Sequence, residues 1–93
     1  MKCSSYRFTR HAVFKMFERN ISMEQTKIAV QKGEVIQNYP NDKPYPSSLI
    51  LHFIQKRPYH VVVGFDEDSG NCIIITVYNP SLKLWKKDYK TRK

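Results

Sequence analysis

The sequence predicts an α+β fold in one domain: two N-terminal helices packed on a four-stranded antiparallel sheet, with a short basic tail behind it. Three observations predict it. Up to Gly33, apolar residues recur at the three- and four-residue spacing of a helix face. From Glu34 onward the period changes to two, with β-branched residues concentrated at Val61, Val62, Val63, Ile73, Ile74 and Ile75. The length of 93 residues fits a single core. The core is expected over 6–80 and the tail over 81–93.

Thr9 is placed to cap the first helix, with Phe8 before it as one half of a hydrophobic staple on Val13. Val13, Met16 and Phe17 then share one face, flanked by Phe14, and His11, Lys15, Glu18 and Arg19 share the other. Ser22-Met23-Glu24-Gln25 matches a capping box for the second helix, whose apolar side is Met23, Thr26, Ala29 and Val30. Gly33 ends it in the manner of a C′ glycine. Only Asn20-Ile21 separates the helices, so they form a tight hairpin. Glu34 to Tyr39 is the first predicted strand. Pro40, Asn41, Asp42, Pro44, Pro46 and Ser47 form a loop that cannot continue a ladder. Ser48 to Gln55, Tyr59 to Phe65 and Cys72 to Asn79 complete the sheet, separated by turns at Lys56-Arg57-Pro58 and Ser69-Gly70. Pro80 stops the last strand.

Composition excludes several function classes. No apolar run reaches the roughly 18–20 residues of a membrane helix, and the polar start does not resemble a signal peptide. Cys3 and Cys72 are too few and too far apart for a disulfide framework or a zinc site, which predicts two reduced thiols and a cytoplasmic location. No H-x-x-x-H, Cys-x-x-Cys, acidic two-metal cluster or glycine-rich phosphate loop is present, so the expectation is chemistry without metal or cofactor. The net charge of +8 is uneven. Residues 1–32 carry seven Lys/Arg against two acids, 33–82 carry three against five, and 83–93 carry six against one. Two basic blocks around an acidic middle suit a polyanion or an acidic protein.

Strand parity locates candidate chemistry. Tyr59, Val61, Val63 and Phe65 alternate with His60, Val62 and Gly64; Ile73, Ile75 and Val77 alternate with Cys72, Ile74, Thr76 and Tyr78. Placing the first set of each strand under the helices, together with Leu49, Leu51 and Phe53, leaves His60, Thr76, Tyr78 and His52 on the other face. A strand histidine is more often a hydrogen-bonded core residue than a catalyst, so each residue also has a purely structural reading. His60 is the candidate base or acid, with Tyr78 and Thr76 beside it. His11 and Arg19 lie on a helix face that is solvated unless it borders this face of the sheet. Arg19, Lys15, Lys86, Lys87, Lys90 and Arg92 are the candidates for holding RNA phosphate. RNA supplies its own 2′-hydroxyl nucleophile, so a base, an acid and positive charge suffice to cleave it. Trp85 is expected to anchor the tail on the sheet or to stack on a base.

The runs His11…Glu18-Arg19-Asn20-Ile21-Ser22, Gly33-Glu34-Val35-Ile36, Pro46-Ser47-Ser48-Leu49, His60-Val61-Val62 and Ile75-Thr76-Val77-Tyr78-Asn79-Pro80, with Trp85, resemble a bacterial and archaeal family of small domains of unassigned function, grouped with RelE-like and BrnT-like toxins. The resemblance implies a RelE-like fold. It also implies an endoribonuclease toxin acting on RNA such as mRNA, and a neighbouring antitoxin, often a small zinc-finger protein, as partner. It points to the same five residues, His11, Arg19, His60, Thr76 and Tyr78. The alternative reading is a non-catalytic module that binds RNA or protein.

Overall fold

A computed structural model describes residues 1–93. Its elements run β1 (Ser5–Phe8), α1 (Arg10–Glu18), α2 (Met23–Lys32), β2 (Glu34–Tyr39), β3 (Ser47–Ile54), β4 (Arg57–Asp66) and β5 (Asn71–Tyr78). The sheet has five strands in the order β1-β5-β4-β3-β2, and β1 lies parallel to β5. The expected four-stranded antiparallel sheet is therefore corrected to a five-stranded mixed one. The missed strand is four residues long and its ladder is formed with residues 71–74. A polar Ser-Tyr-Arg-Phe stretch carries no local sign of so distant a partner. No helix is long and apolar enough to cross a membrane.

Helix ends follow the sequence. Thr9 Oγ1 accepts from Ala12 N, and Ser22 and Gln25 form the reciprocal capping box. Asn20 turns the chain between the helices with φ 55°. Gly33 does not act as a left-handed C′ residue; its φ is −72°. Glycine is required there for space, since a Cβ would sit 2.4 Å from the Ala29 carbonyl oxygen and 2.5 Å from Ile50 Cγ2. The inner face of α1 is also rotated from the expected one. Ala12 and Met16 are buried, whereas Val13, Phe14 and Phe17 are exposed, Phe17 by 85%. A single alanine lets the helix approach β5 closely, and bulky Phe14 and Phe17 would hold it away.

The core lies between the helices and one face of the sheet: Ala12, Met16, Ile21, Ala29 and Val30 against Ile50, Tyr59, Val61, Val63, Cys72, Ile74 and Val77. Tyr59, Val61 and Val63 were expected there. Leu49, Leu51 and Phe53 were as well, but register puts them on the far face, because Leu49 pairs with Val62 and Leu51 with His60. His52 pairs with Tyr59 and so lies on the helix face, opposite to His60. In β5 the parity changes partway. A bulge at Ile75 lets Val62 pair with Thr76 while Val63 pairs with Ile74, so Cys72, Ile74 and Val77 face the helices.

At the ends, one further expectation is corrected and the tail takes a defined shape. Cys3 and Cys72 form a disulfide with Cα atoms 5.6 Å apart, so the expectation of two reduced thiols is overturned. Their separation of 69 residues, which argued against pairing, is spanned once β1 runs beside β5. The tail is not a loose extension. Lys86 N donates to Thr91 O and Lys93 N to Leu84 O, closing a short hairpin with a bridge between Trp85 and Arg92. Asp88 holds the turn by accepting from Lys90 N, Thr91 N and Thr91 Oγ1.

Candidate functional site

The face of the sheet away from the helices is built of rows that cross the strands. One row is Arg7, Ile73, Gly64, Ser47 and Tyr39; the next is Thr76, Val62 and Leu49; the third is Tyr78, His60, Leu51 and Glu34. The tail hairpin covers the third row. Trp85 is buried and meets the His60 ring edge-on at 4.6 Å, Tyr89 packs edge-on against Phe53, and Lys90 pairs with Glu34 at 2.9 Å. The β2–β3 loop leans over the first row, with Asp42, Lys43, Pro44 and Tyr45 facing Arg7, Gly64 and Ile73 across a hollow of about 240 Å³.

His60 is fully buried. Its Nε2 lies 2.7 Å from the Tyr89 carbonyl oxygen and its Nδ1 3.1 Å from the Tyr78 hydroxyl. A carbonyl only accepts, so Nε2 carries the proton, and Nδ1 accepts from the phenol. Burial holds the imidazole pKa below its usual 6.5; the Tyr89 contact works against that shift and the Arg92 charge adds to it. Burial also raises the Tyr78 phenol, with Tyr39 adding to the rise. The pair is neutral, and every hydrogen-bonding position on the His60 ring is occupied.

His11 is exposed. Its Nε2 lies 3.0 Å from Thr76 Oγ1, so one helix residue is tied to the second row of the sheet. The tie arises because β1 delivers the chain to Thr9, whose backbone N and hydroxyl both donate to β5, to Ile74 and Ile75 carbonyls respectively. The first turn of α1 thus stands beside Thr76. The Nδ1 edge of His11 has no partner within the protein. Thr76 and Tyr78 are two residues apart on one side of β5, and each is bonded to one histidine. Four of the five sequence candidates therefore form two linked pairs.

Arg19 lies at the C-terminal end of α1, one and two turns beyond Lys15 and His11. Its carbonyl accepts from Tyr59 Oη at 3.4 Å, and its Nε is buried without an acceptor. The expected phosphate-holding cations separate. Lys15 pairs with Glu18 at 3.3 Å, Lys90 with Glu34, and Arg92 lies over the Trp85 ring at 4.9 Å. Lys86 and Lys87 are exposed and make no ion pair. Sequence reasoning missed Tyr89, which seals His60, and Arg7, which joins the site only through β1. No group of three or more His, Cys, Asp or Glu is arranged to hold a metal.

The profile of a family described as "Domain of unknown function (DUF4258)" matches residues 8–79, from the last residue of β1 to just past β5. The Cys3 arm and the tail hairpin lie outside the matched residues. No curated protein and no solved structure matches the chain significantly.

Proposed function

From the premise that the chain belongs to the DUF4258 family, whose function is unassigned, we propose that it is a metal-independent endoribonuclease, a toxin of a toxin–antitoxin pair, with His11 as its proton acceptor. The observation that carries this reading is the His11–Thr76 pair, an oriented and exposed imidazole beside the row that holds Tyr78 and His60. If Nε2–H donates to Thr76, the exposed Nδ1 presents its lone pair. Nδ1 takes the 2′-hydroxyl proton as that oxygen bonds to phosphorus. The bond to the 5′-oxygen breaks, and water at the open edge protonates the departing oxygen. The products are a 2′,3′-cyclic phosphate and a 5′-hydroxyl. Arg7 and Arg19, neither of which is ion-paired, supply charge for the phosphate.

In this reading His60 is a positioning residue. It is sealed from substrate, and it holds the Tyr78 hydroxyl in place in the row beside Thr76. Proton transfer of this kind contributes on the order of 10²–10⁴ in rate. His11→Ala should therefore lower cleavage of a single-stranded RNA, assayed in the presence of a metal chelator, by roughly that factor. His11→Ala that cleaves as well as the wild type removes the assignment. The burial of His60 favours a second reading, a non-catalytic binding module. Under that reading RNA is bound, stays intact, and is bound equally by His11→Ala.

A further inference from the structure

The geometry points to a nucleobase subsite in the hollow between the β2–β3 loop and the β1–α1 junction, which would seat one base of single-stranded RNA next to His11. This deepens the ribonuclease reading and rests on it for the identity of the ligand. The hollow, at about 240 Å³, is smaller than the roughly 300–1,000 Å³ that accommodates drug-sized molecules, and so suits one ring system. Its floor is Gly64, Ile73 and Ile75. Gly64 has no side chain to occupy the row, and Ile75 is the bulged residue that β5 turns out of its ladder. Tyr45 supplies an aromatic wall, Arg7 and Lys43 two cations.

The opposing charge is Asp42, whose carboxylate also accepts from the Ser47 hydroxyl. Two cations against one carboxylate leave the hollow positive. An apolar floor, an aromatic wall and flanking cations are the elements by which proteins hold an unpaired base and its phosphate without metal. Continuity with the catalytic pair is direct. Thr9 lines the hollow and starts α1, two residues before His11, and Ile75 precedes Thr76. A base in the hollow would place its adjoining phosphate on the side of Arg7 and His11.

The test is binding of a fluorescent 2′-O-methyl hexaribonucleotide, which cannot be cleaved, and of the same backbone with abasic residues. Base stacking is worth about 1–3 kcal/mol per base, so Tyr45→Ala should weaken binding of the intact probe by about fivefold to a hundredfold. It should leave the abasic probe unchanged. Arg7→Gln should weaken both probes and lower the salt slope by about 0.7. Gly64→Val is the second variant. A Cβ there meets Ile75 Cδ1 at 3.6 Å, an ordinary contact, and the two methyls beyond it enter the hollow; an unchanged urea midpoint confirms that the variant folds. It should mimic Tyr45→Ala.

Equal binding of the intact probe by the wild type, Tyr45→Ala and Gly64→Val overturns the subsite, as does a wild type that fails to prefer the intact probe over the abasic one. Cleavage is measured separately on unmodified RNA. Base-dependent binding without cleavage keeps the subsite and removes the enzyme, whereas cleavage insensitive to Tyr45 and Gly64 does the reverse.

Discussion

His60 shows how a residue's chemistry follows from what surrounds it. That it shares a face with Tyr78 was legible, since both sit at outward parity on strands with strong β-branched patterns. Its burial was not, because that depends on Tyr89 and Trp85, which reach it from a segment without strand or helix periodicity. The lowered pKa has a consequence for stability. The unfolded chain protonates this imidazole near 6.5 and the folded chain only at lower pH. Between those values the unfolded state binds more protons, so stability is fully present above about pH 6.5 and is lost as pH falls below it. Denaturant midpoints taken from pH 8 to 5 should decline for the wild type, and the decline should be shallower in His60→Gln. Parallel curves for the two proteins would show that the imidazole titrates normally.

At the scale of elements, the two helices and four of the five strands were readable from period and caps. What escaped was which side of each element faces inward. Apolar content alone favoured Val13 and Phe17 over Ala12, and strict alternation carried Ile75 into the core. A close-packed helix and a one-residue bulge reversed both assignments. The β3–β4 turn is a further case. Gln55 and Lys56 have φ of 50° and 68°, as a two-residue type I′ turn demands, although neither is a residue that favours it. Left-handed backbone costs a non-glycine residue roughly 1–2 kcal/mol. Gln55→Asn with Lys56→Gly should therefore stabilise the protein by about 1 kcal/mol, seen as a higher urea midpoint with an unchanged slope. A midpoint that stays or falls would mean that the two side chains stabilise the turn by other contacts.

For the whole molecule, the ends decide what the middle can do. The N-terminal arm adds β1, brings Arg7 to the first row and aims α1 at Thr76. The tail seals the third row and spends two of its cations, on Glu34 and on the Trp85 ring, so the basic block reads differently once folded than it does as a charge count. Of the two ends only Trp85 as the anchor of the tail was legible; β1 and the rest of the tail hairpin were not, because they act through partners far along the chain. The Cys3–Cys72 bridge closes a loop that, by chain entropy, contributes about 4 kcal/mol. Cys3→Ser, which leaves the buried Cys72 in place, should lower stability by that order under non-reducing conditions and become equal to the wild type in excess dithiol. If Cys3→Ser and the wild type differ equally with and without dithiol, the loss comes from packing instead of from the cross-link.

The same bridge dictates how the molecule bears load. Tension applied between the two ends passes from Cys3 straight to Cys72, so α1, α2 and β2 to β4 lie in a bypassed ring. Stretching the bridged chain would release only the tail and β5, roughly 80 Å of contour at 3.3–3.6 Å per residue, against roughly 300 Å once the bridge is cut. The His11–Thr76 pair would be pulled apart at its β5 side while the helix behind it stayed folded.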